Sequence, residues 1–259
     1  MSKPKLYIVK IGGNVLDDSE ALQQVLFDFS QLSTAKILVH GGGKIATRLA
    51  ERLGVKPEFH NGRRITTAEM LDIAVMSYAG LTNKNVVARL QSFGVNAIGF
   101  SGADGSLILS KKRPAEPIDF GFVGDVEKVD ADLLKKLIDL NLTVVFSAIT
   151  HDGNGNLLNT NADTIASEIA IALSEAFETA LLYCFEKPGV LLDGDDDSSV
   201  ISELPHPDYK NLVENGNVHS GMLPKLENCF HALQAGVAEV RVGSALMLTD
   251  SKAGTRIKL

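Results

Sequence analysis

Apolar positions along the chain follow two rhythms: short unbroken runs that read as buried strands, and stretches with apolar residues three and four apart that read as helices. Leu6 to Ile11, interrupted only by Lys10, predicts a strand over 5–11. Gly12 and Gly13 stop it, and Asp17-Asp18-Ser19-Glu20 offers a cap to an amphipathic helix over 20–31. The pattern then repeats. Ala35 to His40 predicts a strand over 36–40, and Gly41-Gly42-Gly43 forms a turn. Ile45, Leu49 and Leu53 mark the core face of a helix over 43–53, opposite Arg48, Glu51 and Arg52. Residues 55–64, with Asn61-Gly62, read as a loop or short hairpin.

Thr66-Thr67-Ala68-Glu69 caps a helical region, and a second helix follows over 81–93. Strands are expected over 95–100, 107–110 and 142–147, with a glycine-punctuated hairpin arm at 120–126 and a helix from Asp130 to about 140. Beyond a polar turn at 151–155, a helix over 162–173 carries Ile165, Ile169 and Leu173 on one face. A strand over 180–183, a turn at 186–189 and a short return over 190–192 come next. Helices over 208–215 and 222–234, separated by a loop at 217–222, a strand over 237–242 and a closing segment at 254–257 complete the chain. Strands alternating with helices specify an α/β fold with helices on both faces of a sheet.

Composition narrows the function. A formal charge of −7 without a basic tract argues against a nucleic-acid binder. Lys111-Lys112-Arg113 is too short to change this and reads as a solvated turn. No apolar run reaches membrane-spanning length, and the N-terminus runs directly into a strand, so the expectation is a cytoplasmic protein. Cys184 and Cys229 have no zinc or redox spacing and read as reduced, partly buried thiols. Asp193 to Ser198 is an acidic turn without the calcium-loop pattern. His60, His151 and His219 are scattered, so no metal set is expected, and His40 reads as a structural residue beside its glycine turn.

The chemistry lies in the two strand–glycine–helix turns. Glycines let backbone N–H groups approach a ligand, and a helix start favours an anion. Each turn has a nearby lysine, Lys10 or Lys44, and the pair suits a phosphate chain, although neither matches a Walker or dinucleotide fingerprint. Lys10 stands in an apolar strand where packing alone would make it costly, which marks it for function.

Six motifs then carry a resemblance along almost the whole chain. They are Lys-Ile-Gly-Gly at 10–13, His-Gly-Gly-Gly at 40–43, Asn-Gly-Arg-Arg-Ile-Thr at 61–66, Asn-Thr-Asn-Ala-Asp at 159–163, Gly-Met-Leu-Pro-Lys at 221–225 and Gly-Thr-Arg-Ile at 254–257. In this order they resemble the N-acetyl-L-glutamate kinases of arginine biosynthesis, within the amino acid kinase family. The resemblance implies an open three-layer αβα sandwich around a mainly parallel sheet, in two lobes. Residues 1–175 would bind the acyl-amino acid and make a homodimer, and residues 176–259 would bind ATP. The arginine-inhibited relatives' extra N-terminal helix has no counterpart before the first strand, so an arginine-insensitive dimer is expected.

The implied reaction moves the γ-phosphoryl group of ATP onto a side-chain carboxylate. A carboxylate is ionised at neutral pH, so the site needs positive charge and aligned N–H groups rather than a general base. By motif position, Lys10 would bridge the transferring oxygens, Lys225 would stabilise charge on the leaving side, and Asp163 would hold both. Gly12, Gly13 and Gly43 would face the phosphates, as would Lys187, Gly189, Gly221 and Met222 in the nucleotide lobe. Gly42 and Gly43 would meet the incoming carboxylate, Arg64 would fork with the acceptor's α-carboxylate, and Asn159 and Asn161 would hold its polar groups. Mg²⁺ would travel with the nucleotide, bound by phosphates and water. Two departures stand out. Arg63 replaces an apolar residue beside Arg64 and makes N-succinyl-L-glutamate an alternative acceptor. The turn Tyr183 to Gly189 lacks the family's usual aspartate. Another member of the family acting on carbamate or an amino acid is an alternative that Arg64, Asn159 and Asn161 argue against, and a non-catalytic amino-acid-binding regulator of the same fold is a further one that Lys10, Lys225 and Asp163 weigh against.

Overall fold

The computed structural model describes residues 2–214 and 222–259. The first strand, β1 (Lys5–Ile11), alternates as its sequence requires. Leu6, Ile8 and Lys10 point to one face of the sheet, and Tyr7, Val9 and Ile11 to the other. Chain order continues with β2 (Ala35–His40), the hairpin β3 (Glu58–His60) and β4 (Arg63–Ile65), then β5 (Ala97–Phe100), β6 (Ile108–Lys112) and β7 (Val123–Val129). Strands β8 (Thr143–Phe146), β9 (Ile149–His151), β10 (Leu157–Thr160), β11 (Glu178–Cys184), β12 (Glu203–Pro205), β13 (Glu239–Gly243) and β14 (Thr255–Lys258) follow.

The main sheet runs β12-β14-β13-β11-β1-β2-β8-β5 and is parallel except between β13 and β14. It continues unbroken across residue 175. A smaller sheet of β10, β7, β6 and β9 closes on itself beside it. Because β2 and β11 flank β1 on opposite sides, the chain reverses direction around β1, and a crevice opens at the carboxyl ends of these strands.

Helices cover both faces. One apolar cluster packs α3 (Gly43–Arg52), α4 (Ala68–Ala74), α6 (Ala131–Asp139), α7 (Ala162–Leu173) and α9 (Leu223–Gln234) around Leu6 and Ile8. The other packs α1 (Gly13–Asp17), α2 (Ser19–Gln31) and α5 (Asn83–Ser92) around Val9 and Ile11. The remaining helix, α8 (His206–Glu214), follows β12. Predicted caps are in place: Asp18 accepts from the N–H groups of Glu20 and Ala21, Thr67 from Met70, and Asp130 from Leu133. The Asn61-Gly62 hairpin turn has positive φ at both residues, 47° and 73°, as a two-residue turn of this hand needs.

Several expectations change. The five-residue α1 was not foreseen, because one short turn carries no period. Leu53 is the C-cap of α3 and is 57% exposed, and the fully buried Ala46 and Ala50 face the core cluster instead. The two helices over 66–93 are one continuous rod: Val75–Thr82 is a π-helical stretch joining α4 to α5. The segment 111–113 is not a solvated turn; Lys111 and Lys112 end β6, and Arg113 turns back to form a forked ion pair with Asp125. Both cysteines are fully buried, and burial pushes the Cys184 thiol up to about 12, which makes it inert. Gly221 and most of the loop at 217–222 lie outside the described residues. Among the described residues, no helix is long and apolar enough to cross a membrane.

Candidate active site

Three charged side chains converge at the carboxyl end of β1, each delivered by a different element. Lys10 is the last residue of β1 on the face that carries Leu6 and Ile8, so the pleat directs it toward α7. Asp163 is the second residue of α7, where the helix start favours a negative charge. Lys225 lies in the first turn of α9, where a positive charge is disfavoured unless an anion answers it. Asp163 answers both. Lys10 Nζ is 2.7 Å from its Oδ1, and Lys225 Nζ donates to its Oδ2 at 3.0 Å.

Burial would raise the Asp163 carboxyl, but the two ammonium groups outweigh it and hold the acid well below the ordinary carboxylate range. Burial lowers Lys10; Asp163 opposes that shift and Lys225 adds to it, so the net direction is down. The triad is a preorganised pair of cations around one spent anion. Tyr183, fully buried and paired in register with Lys10, anchors it by donating its hydroxyl to the Asp163 carbonyl at 2.9 Å. The Lys225 ammonium stands 5.4 Å from the Tyr183 ring centroid.

These groups line a cleft of about 810 Å³ that also receives both glycine turns. At Gly13 and Gly43 an added Cβ would meet no atom of the described residues within 4 Å, so the missing side chains leave room there. At Gly42 the reason is packing: a Cβ there would lie 2.5 Å from the Tyr78 ring. Gly12 closes its turn by donating to the Cys184 carbonyl at 2.9 Å.

The other end of the cleft belongs to β4 and β10. Arg64 donates to the Gly43 carbonyl at 2.9 Å and to Thr47 Oγ1 at 2.8 Å, and its guanidinium stacks 4.6 Å from the Phe59 ring centroid. Asn159 on β10 donates to Thr66 Oγ1 at 3.1 Å. Asn161 is the N-cap of α7, its side chain accepting from the N–H groups of Asp163 and Thr164, which leaves the Asp163 carboxylate to the two lysines. Gly121, at φ 72°, lets the preceding arm reach the Thr66 carbonyl, where a Cβ would lie at 2.2 Å.

Of the residues expected from sequence, Lys10, Gly12, Gly13, Gly42, Gly43, Arg64, Asn159, Asn161, Asp163, Lys187, Met222 and Lys225 all line this one cleft. Gly189 does not: its missing side chain accommodates Thr255 and Val200 instead. Lys187 reaches the cleft while paired with Asp197 at 2.9 Å. The sequence reading missed Asn14, Tyr78 and Arg113. Asn14 directly follows the first glycine pair, and that adjacency was a usable signal. Tyr78 and Arg113 arrive from elsewhere in the fold and left no local one. No cluster of three acidic, histidine or cysteine side chains able to hold a metal is found among the described residues.

Residues 5–244 match the model of the amino acid kinase family. The acetylglutamate kinase of Bacteroides thetaiotaomicron is 52% identical over 256 residues, covering 99% of each chain. The crystal structure of smu.665 from Streptococcus mutans superposes with a TM-score of 0.83 at 23% identity over 98% of both chains. Carbamate kinase from Giardia lamblia bound to AMP-PNP gives 0.73 at 16%, over 100% of this chain and 99% of that one. The two structures share the fold.

Proposed function

This chain belongs to the amino acid kinase family, and from that premise we propose that it phosphorylates the side-chain carboxylate of N-acetyl-L-glutamate with ATP, giving the acyl phosphate of arginine biosynthesis. The single observation that carries the reading is Asp163 held between Lys10 and Lys225, because phosphoryl transfer between two anions needs this fixed positive charge. The side-chain carboxylate would attack the γ-phosphorus, and the bond to the β-phosphate oxygen would break. Lys10 would span the transferring oxygens, Lys225 would meet the charge growing on the leaving side, and Asp163 would keep both in place without accepting a proton. The glycine cradles at 13 and 43 suit phosphate oxygens and the acceptor carboxylate. Arg64 would bind the acceptor's α-carboxylate, and Asn159 and Asn161 its polar groups.

Both Asp163 oxygens face lysines, so a Mg²⁺ ion would be held by nucleotide phosphates and water and would neutralise phosphate charge. Residues 1–175 supply Lys10, Arg64, Asn159 and Asp163, and residues 176–259 supply Lys187, Met222 and Lys225. That division supports an acceptor lobe and a nucleotide lobe. A homodimer belongs to the same reading: Met76 and Leu81, 51% and 56% exposed on the π-helical stretch, offer an apolar face to a second copy.

N-succinyl-L-glutamate is the second reading, favoured by Arg63 and Arg113, which line the same cleft as Arg64 and suit a further carboxylate. ATP-dependent hydroxamate formation with each acceptor in hydroxylamine tests both. Preference for the acetyl compound supports the first reading, preference for the succinyl compound the second, and activity with neither sinks the kinase assignment.

A further inference from the structure

His40 is fully buried between the end of β2 and the Gly41–Gly43 turn, and the reaction as described leaves it without a task. Its Nδ1 lies 2.7 Å from the Gly41 carbonyl, and its Nε2 lies 3.1 Å from Asn83 Nδ2. A carbonyl can only accept, so Nδ1 carries the proton. The Asn83 amide nitrogen also donates to the Val145 carbonyl at 3.0 Å, which fixes that side chain's orientation and makes Nε2 the acceptor. The ring is therefore a neutral imidazole with one defined tautomer. Burial pushes its pKa down to about 4, in keeping with that form.

The Gly41–Gly42 peptide is trans, so the Gly41 carbonyl and the Gly42 N–H point in opposite directions. We propose that His40 is a positioning residue: by holding the Gly41 carbonyl toward the interior, it aims the Gly42 N–H into the cleft, where a phosphoryl oxygen would sit. The proposal rests on the phosphoryl-transfer reading above. Two further contacts brace the turn. The Tyr78 ring occupies the space behind Gly42, and Asn83, which secures the far side of His40, begins the helix that continues from the Tyr78 segment. Gly99 is open for this purpose, since a Cβ there would lie 1.9 Å from Asn83 Oδ1. One rod thus holds the glycine turn from two sides.

Two substitutions separate aiming from mere filling. In His40→Asn the amide nitrogen stands near the place of Nδ1 and can still donate to Gly41. In His40→Gln the side chain reaches the place of Nε2 and can satisfy Asn83, but the Gly41 carbonyl is released. Losing one aimed donor costs about a hundredfold or more in kcat where it has been measured in other enzymes, so a loosened one is expected to cost about ten- to a hundredfold. His40→Gln should lose that much kcat while both KM values stay within about threefold, and His40→Asn should restore most of it. Long-range ¹H–¹⁵N correlation spectra of the wild-type protein at neutral pH, with the His40→Gln spectrum assigning the ring, should show the Nδ1–H tautomer. An Nε2–H tautomer, or equal kcat for the two variants, overturns the proposal. A wild-type protein that forms no acyl phosphate overturns the underlying reading instead, and the ring spectrum still decides the tautomer on which the proposal stands.

Discussion

Replacing Asp163 with asparagine keeps the side chain's shape and removes its charge. In the native site that charge lies 2.7 Å from one ammonium and 3.0 Å from another, with Lys10 only 9% exposed. Without it the two cations repel each other and lose the partner that fixes their positions. Preorganised charges of this kind are worth about 3–4 kcal/mol in the transition state, so kcat should fall roughly a hundred- to a thousandfold. A second signature follows from the sign of the Lys10 shift. Burial already lowers Lys10 and Asp163 opposes that lowering, so removing the Asp163 charge must lower it further. The variant's residual activity should therefore fall more steeply toward high pH than the wild type's does. The wild type, whose Asp163 carboxylate favours the charged lysine, should show the weaker pH dependence. Steady-state kcat from pH 6 to 9 on both proteins reads the two effects together. A variant with near-native kcat, or with a large loss and a wild-type pH profile, would refute the claim that Asp163 acts by holding and charging the lysines.

Lys10→Arg should cut turnover far more than ATP affinity, because a rigid fork cannot replace a point charge at the moving group; equal losses in kcat and in nucleotide binding by titration would count against the role. Arg64→Ala should raise the acceptor KM about 10- to 100-fold with little change in the ATP KM, since its charge-assisted bonds are made before the transition state. Gly42→Ala and Gly43→Ala should part company. The first drives a methyl group to 2.5 Å from the Tyr78 ring and should lower the melting temperature, whereas the second meets no atom of the described residues and should lose activity at near-native stability. His40 is depressed from about 6.5 to about 4 in the folded state, so the unfolded chain takes up the proton first as pH falls. That linkage should remove roughly 2 kcal/mol of stability between pH 7 and pH 5, present above the unfolded pKa and lost through this window, and His40→Gln should abolish that part of the slope in denaturant titrations.

The sequence was most legible where chemistry is local. The alternation of β1 alone puts Lys10 on the face of Leu6 and Ile8, and its cost there marks it as functional before any partner is known. The glycine turns, the caps at Asp18, Thr67 and Asp130, and the Asn61-Gly62 hairpin are likewise short-range facts. Asp163 and Lys225 are different, because helical period places each on its helix but says nothing of their meeting; only the resemblance joined them in advance. What stayed hidden depends on docking between distant segments. Arg113 leaves β6 and turns back on Asp125, which brings it to the cleft, and a three-residue basic run cannot announce that. The π-helical stretch adds a widened turn to an apolar helix without altering its composition, and so concealed how Tyr78 and Asn83 brace the turn at Gly41–Gly43. Gly189 was assigned by the resemblance of its turn to the family's nucleotide turn, whereas in the fold its missing side chain makes way for Thr255.

The central claim is that a side-chain carboxylate of the acceptor attacks phosphorus directly. N-acetyl-L-glutamate labelled with ¹⁸O in that carboxylate, incubated with enzyme, ATP and hydroxylamine, tests it in a single mass measurement of the phosphate released. Hydroxylamine attacks the carbonyl carbon of an acyl phosphate, so the bridging oxygen leaves with phosphorus. Attack by the carboxylate leaves one labelled oxygen in each phosphate formed with the hydroxamate. Phosphate carrying no label, released by water from ATP, would contradict it.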